Sequence, residues 1–120
     1  MADLNKALAL DPKYARGYGN RAAVYGLHGD PGRAIEDAGE AIRLDPEDAF
    51  AYNVRAKAYA DKGQFAVAML DYEQALRLDP LLAEARQNLE RAQAALAAAQ
   101  TAPPPQPPVV SPSSQPRAIQ

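Results

Sequence analysis

Leu44-Asp45-Pro46 decides how this chain is read, because the same three residues stand at 10–12 and again at 78–80. Successive copies are 34 residues apart. A fixed period of that size marks a repeat protein, in which each unit is one supersecondary element stacked on the next. The aspartate-proline step stops a helix, because the residue before a proline is pushed out of the helical region.

Apolar spacing fills the intervals. Before the first copy, Leu4, Ala7 and Leu8 lie on one helical face. After it, Tyr18, Ala22 and Tyr25 share a stripe that ends at the turn His28-Gly29-Asp30-Pro31. Asp30 suits an N-cap and Pro31 the first helical position, so a new helix starts there. That helix carries Ala34, Ile35, Ala38, Ala41 and Ile42 and runs to Asp45. One period later Tyr52, Ala56 and Tyr59 repeat the first stripe, Gly63 the turn, and Phe65, Ala68, Met69, Tyr72, Ala75 and Leu76 the second stripe. Residues 81–102 then form one long helix with a single apolar seam of Leu82, Ala85, Leu89, Ala92 and Leu96, the form of a terminal cap. The fold class is all-α, a solenoid of antiparallel helix pairs. The expected organisation is a partial repeat over 1–12, a repeat domain with its capping helix over 13–102, and a disordered proline-rich tail over 103–120. Seven of those last 18 residues are proline.

These residues resemble the tetratricopeptide repeat family, whose unit is a helix A and a helix B closed by a proline. The match lies at Tyr18 and Tyr52, Ala22 and Ala56, Tyr25 and Tyr59, and the turn glycines Gly29 and Gly63. It continues at Ala34 and Ala41, Ala68 and Ala75, and the closing Pro46 and Pro80. It covers two full units, 15–48 and 49–82. Asn20-Arg21 and the run Ala51-Tyr52-Asn53 with Arg55 look like a variant common in bacterial members. The resemblance implies a protein–protein interaction scaffold with a concave groove lined by helix A, and no enzyme activity.

The groove face opposite the tyrosines is read as Phe50, Asn53, Lys57 and Asp61 in the second unit. In the first unit it is Arg16, Gly19, Ala23 and Leu27, with Asn20 at the edge. Glu84 and Gln87 start the third row. Candidate binding residues are therefore Arg16, Asn20, Leu27, Phe50, Asn53, Lys57, Asp61 and Glu84. Phe50 is either a partner anchor or packing against a neighbouring helix. Asn53 and Lys57 place an amide and a cation one turn apart, suited to a peptide backbone or a carboxylate. Some family members clamp chaperone C-terminal carboxylates; here Gly19 and Ala23 stand where that clamp needs a lysine and an asparagine. Arg21 and Arg55 hold one position in both units and are expected to lay their stems on the core and pair with a carboxylate of the adjacent helix. The five tyrosines at 18, 25, 52, 59 and 72 are expected in the core. Glu36, Asp37, Glu40, Asp71 and Glu73 read as solvated faces.

Composition narrows the rest. A formal charge of -2 gives no field for nucleic acid or an anionic membrane. No cysteine is present, and His28 is the single histidine, so no cofactor, metal or catalytic constellation is expected. No apolar run approaches the roughly 20 residues of a membrane span, and the N-terminus lacks the pattern of a secretory signal; cytoplasmic location follows by default. The partner is a protein or peptide. Pro104 and Pro107 fit a PxxP pattern with no basic residue close by, which favours a plain solvated tail. The leading half unit leaves two alternatives open: the chain is part of a longer array, in which case it is a structural or regulatory segment of a larger protein, or its N-terminal end pairs with another copy as a homo-oligomer.

The first unit carries Gly17, Gly19, Gly26 and Gly39 inside its helices, and the second carries none. Each interior glycine costs on the order of 1 kcal/mol against alanine. Amide hydrogen exchange is therefore expected to be faster over 15–48 than over 49–82; slower exchange over 15–48 contradicts this.

Overall fold

The computed structural model describes residues 1–11 and 13–101. The expected tail over 103–120, with its PxxP pattern, lies outside the described residues, as does Pro12. Among the described residues six helices follow one another: α1 (Ala2–Leu10), α2 (Ala15–Leu27), α3 (Pro31–Leu44), α4 (Ala49–Asp61), α5 (Phe65–Leu78) and α6 (Ala83–Thr101). No strand occurs among the described residues. Each helix packs on the next, and α2, α4 and α6 also touch in sequence, so the A helices form an inner row and α3 and α5 an outer one.

The aspartate of each repeated triplet builds the joint between units. Asp11, Asp45 and Asp79 each end a helix with extended backbone, at φ -138°, -142° and -141°. Their backbone N–H groups donate to Ala7, Ala41 and Ala75 at 2.8 Å each. Their side-chain Oδ1 atoms accept from the N–H two residues on, at Lys13 (3.1 Å), Glu47 (3.2 Å) and Leu81 (3.1 Å). Their carbonyls accept from Tyr14, Asp48 and Leu82, three residues on. The proline between has no N–H to leave unpaired. One short side chain thus satisfies the corner, and the same Asx turn recurs at every joint.

Within a unit the corner is glycine. Gly29 and Gly63 lie at φ +75° and +77°. Asp30 and Gln64 donate back to the carbonyls of Tyr25 and Tyr59 at 2.9 Å each. This closes both helices with a Schellman motif, which favours glycine at the left-handed position. Downstream, Asp30 caps α3 by accepting from the Arg33 N–H at 3.1 Å, with Pro31 as the first helical residue, as the sequence leads one to expect. Asp48 caps α4 through the N–H groups of Phe50 and Ala51.

Small side chains hold the helices together. Ala22, Ala34, Ala38, Ala41, Ala51, Ala56, Ala68, Ala75 and Ala85 are wholly buried. Alanine at these points lets backbones approach closely at no side-chain entropy cost. Among the described residues, the one large side chain buried throughout is Tyr72, in a cluster with Ala56, Ala68, Ala75, Ala85 and Ala92. Tyr52, Tyr59, Phe65, Leu82 and Leu89 pack around it. The expectation of five core tyrosines needs correction: Tyr18, Tyr25, Tyr52 and Tyr59 are half-buried, because the small alanines take the innermost layer.

Two further readings change. Asp37 and Asp71 are not on solvated faces; they are 8% and 7% exposed and each holds an arginine. Arg55 donates to Asp71 at 2.7 and 2.9 Å, and Arg21 to Asp37 at 2.6 and 2.9 Å. These are bidentate pairs that tie helix A to helix B in each unit. The arginine planes also lie near tyrosine rings, Arg55 over Tyr52 and Arg21 over Tyr18, both at 5.7 Å. At the N-terminal end, Leu8 is buried. Arg21 reaches Asn5 at 3.0 Å. A Cβ on Gly17 would stand 2.7 Å from the Tyr14 ring and 3.0 Å from Leu8. Gly17 is therefore what lets α1 and Tyr14 seat on α2, besides being a poor helix former.

Two measurements follow. Gly63→Ala meets open space, so its cost is purely conformational, about 1 kcal/mol. Gly39→Ala, helical and also in open space, is expected to stabilise by up to about 1 kcal/mol. Urea unfolding of both variants checks the opposite signs. Separately, burial, followed by the negative charges of Asp61 and Glu84, pushes the Tyr72 hydroxyl from 10 up to about 12. The unfolded chain then releases this proton first. The contribution is complete below about pH 10 and is lost as pH rises toward 12, by about 2 kcal/mol. Unfolding at pH 9 and pH 11.5 is expected to show a smaller drop for Tyr72→Phe than for the unaltered protein; an equal drop contradicts it.

Candidate functional site

The inner row forms one apolar concavity of about 160 Å³ where α2, α4 and the start of α6 meet. This is small beside the roughly 300–1,000 Å³ of small-molecule sites, and suits a side chain of a partner better than a cofactor. Six of the eight residues named from sequence line it: Leu27, Phe50, Asn53, Lys57, Asp61 and Glu84. Arg16 and Asn20 do not; Arg16 is exposed in the first turn of α2, and Asn20 is half-buried. The floor and walls are completed by Ala23, Gly26, Val54 and Ala58. Of these, Val54, Gly26 and Ala58 were not legible as groove residues. They sit beside the expected face, and only the packing of α2 on α4 turns them inward.

Helical spacing sets the wall of α4. Phe50, Asn53, Lys57 and Asp61 recur at steps of three and four, so they share a side of the helix. Phe50 packs against the neighbouring helix and still stays partly open. A Cβ on Gly19 would stand 3.6 Å from its ring, so the ring rests over the small surface of α2. It also remains 38% exposed. Leu27, at the end of α2, is 78% exposed, a large apolar side chain at the edge of the same concavity.

Asn53 lies deeper than Lys57 and Asp61 on the same face. It is 3% exposed, and its Oδ1 is enclosed without a hydrogen-bond partner. The cause lies one period away from the Phe50–Gly19 contact. Asn53 and Glu84 occupy the same two repeat positions as Gly19 and Phe50, and both line the concavity where α4 meets α6. An unpaired buried acceptor costs about 1–3 kcal/mol.

The charges around it are free. Among the described residues, Lys57, Asp61 and Glu84 form no ion pair, whereas Arg21 and Arg55 are held by Asp37 and Asp71. Hydrogen bonding to those carboxylates raises both guanidinium pKa values, and neither arginine lines the concavity. No group of His, Asp or Glu side chains with metal-ligand geometry occurs among the described residues. No helix there is long and apolar enough to cross a membrane.

Comparison with known proteins fits this geometry. The tetratricopeptide repeat profile matches residues 49–82, and a second profile of the same repeat matches 4–36. Among solved structures, the first TPR of Spaghetti (RPAP3) bound to the HSP90 peptide SRMEEVD is 30% identical. That match covers 78% of this chain and 75% of the other, with a TM-score of 0.76. The Sgt2 TPR domain from Aspergillus fumigatus is 26% identical, over 89% of this chain and 73% of its own, with a TM-score of 0.79. The second TPR domain of human RPAP3, in complex with the HSP70 peptide SGPTIEEVD, is 28% identical over 75% of each chain, with a TM-score of 0.71. A search of curated protein sequences gives no match. With the period, the paired helices and these likenesses in agreement, the chain belongs to the tetratricopeptide repeat family.

Proposed function

We propose that this protein is an interaction scaffold that holds a segment of a partner protein in the concavity between α2, α4 and α6. The observation that carries the reading is the apolar concavity at Phe50 and Leu27, with a buried, unpartnered amide at Asn53 in its wall. Exposed large apolar side chains beside a recess are what partner anchors use. A side-chain amide in the wall is what an extended backbone needs for a hydrogen bond. Related repeats in the solved structures hold chaperone peptides, which supports a peptide as the type of partner. The eight residues named from sequence reduce, in this reading, to Leu27, Phe50, Asn53, Lys57, Asp61 and Glu84.

The remaining assignments belong to the same proposal. The protein acts without catalysis, cofactor, nucleic acid or membrane, in the cytoplasm, with repeats of the bacterial type. The partial unit over 1–12 and the domain over 13–102 are its working divisions.

A pull-down from the source proteome tests the groove. Phe50→Ala is expected to lose the partners that the unaltered chain recovers. Leu70→Ala, an exposed apolar change on the outer helix α5, is expected to keep them. Equal recovery by both variants overturns the groove assignment.

A further inference from the structure

The groove has a polarity of its own, and the polarity differs from what an acidic peptide needs. Two groups at the edge of the concavity accept only, the carboxylates of Asp61 and Glu84, and the Asn53 amide lies in its wall with its Oδ1 enclosed. Asn53 is 97% enclosed by its 3% exposure and has no donor. The two carboxylates come from different helices, α4 and α6, and neither is in an ion pair among the described residues. Against these stands one cation, Lys57, which leaves the lining of the concavity one negative charge in excess.

The remaining walls are apolar: Leu27, Val54, the alanines and the half-open ring of Phe50. An apolar recess with two unpaired carboxylates at its edge matches one kind of side chain. A lysine or arginine lays its methylene stem along apolar surface and keeps its head for acceptors. The Phe50 face adds a site for a cation over a ring. The volume of about 160 Å³ holds one such side chain and little else.

We infer that the concavity is a pocket for a single basic side chain of the partner segment, its stem on Phe50, Val54 and Leu27 and its head donating to Asp61 and Glu84 beside the Asn53 amide. The inference rests on the groove reading above and deepens it. Lys57 then opposes the ligand rather than binding it. An acidic C-terminal tail of the kind held by the structural neighbours meets two unpaired carboxylates here and, as Gly19 and Ala23 indicate, no clamp.

Three acetylated, amidated heptapeptides test this on the full chain by fluorescence polarisation. They share leucine and alanine flanks and differ only at the centre: arginine, citrulline (the same shape without the charge) or glutamate. The arginine peptide is expected to bind roughly three- to tenfold more tightly than the citrulline peptide at low salt, with the gap narrowing at about 0.5 M salt. Glutamate and the tail SRMEEVD are expected to bind more weakly than either. Asp61→Asn with Glu84→Gln, both exposed and safe for folding, brings the arginine-to-citrulline ratio near one, and Lys57→Ala tightens arginine binding. Equal binding of arginine and citrulline, or tighter binding of glutamate or of SRMEEVD, overturns the basic pocket. In that case a loss of every peptide on Phe50→Ala still upholds the groove. Absence of saturable binding for all peptides overturns the groove and the pocket together.

Discussion

One side-chain oxygen sets the geometry of this protein. At each joint an aspartate Oδ1 closes the backbone two residues on, while its own N–H finishes the preceding helix. The three aspartates have nearly the same backbone angles, so each new helix A leaves its predecessor in the same direction. A constant joint repeated along the chain is what aligns α2, α4 and α6 in one row. The groove is a consequence of that row. A change that lengthened one joint would displace Glu84 from Asn53 as surely as a change within the groove.

Two other devices keep each unit rigid enough for the joint to matter. The left-handed glycine folds helix B back on helix A, and wholly buried alanines bring the pair close. The arginine–aspartate pairs then fix the register of the two helices. Their side chains are partly screened, at 26% and 10% exposure for Arg55 and Asp71, so their net contribution is modest. Removing one partner is another matter, because it leaves the other charge largely enclosed. The pairs also explain why two repeated arginines play no part in the groove.

Much of this was written in local sequence. The period, the turn glycines, the capping aspartates and the steps of three and four along α4 each depend on neighbours within a few residues. The face carrying Phe50, Asn53, Lys57 and Asp61 could be read for that reason, and so could the pairing of Arg21 and Arg55 with a carboxylate on the next helix. What could not be read depends on the partner helix. Asn53 lies deep where α4 meets α6, and nothing near it in sequence says so. Asp37 and Asp71 looked like solvated charges because their arginines are 16 residues away. Arg16 and Asn20 shared a helix with Leu27 but fall outside the concavity, because the face of α2 that meets α4 is set by the smallness of Gly19 and Ala23.

The account joins these into one claim, that a row of A helices made by constant joints presents a recess for a partner segment. Amide chemical-shift mapping of the full chain, titrated with the arginine-centred peptide, tests it most directly. The account predicts shifts confined to the α4 run from Phe50 to Asp61, the start of α6 at Glu84, and the end of α2 at Ala23–Leu27, with α3 and the outer side of α5 unmoved. Shifts concentrated on α3 and α5, with the inner row silent, would contradict it.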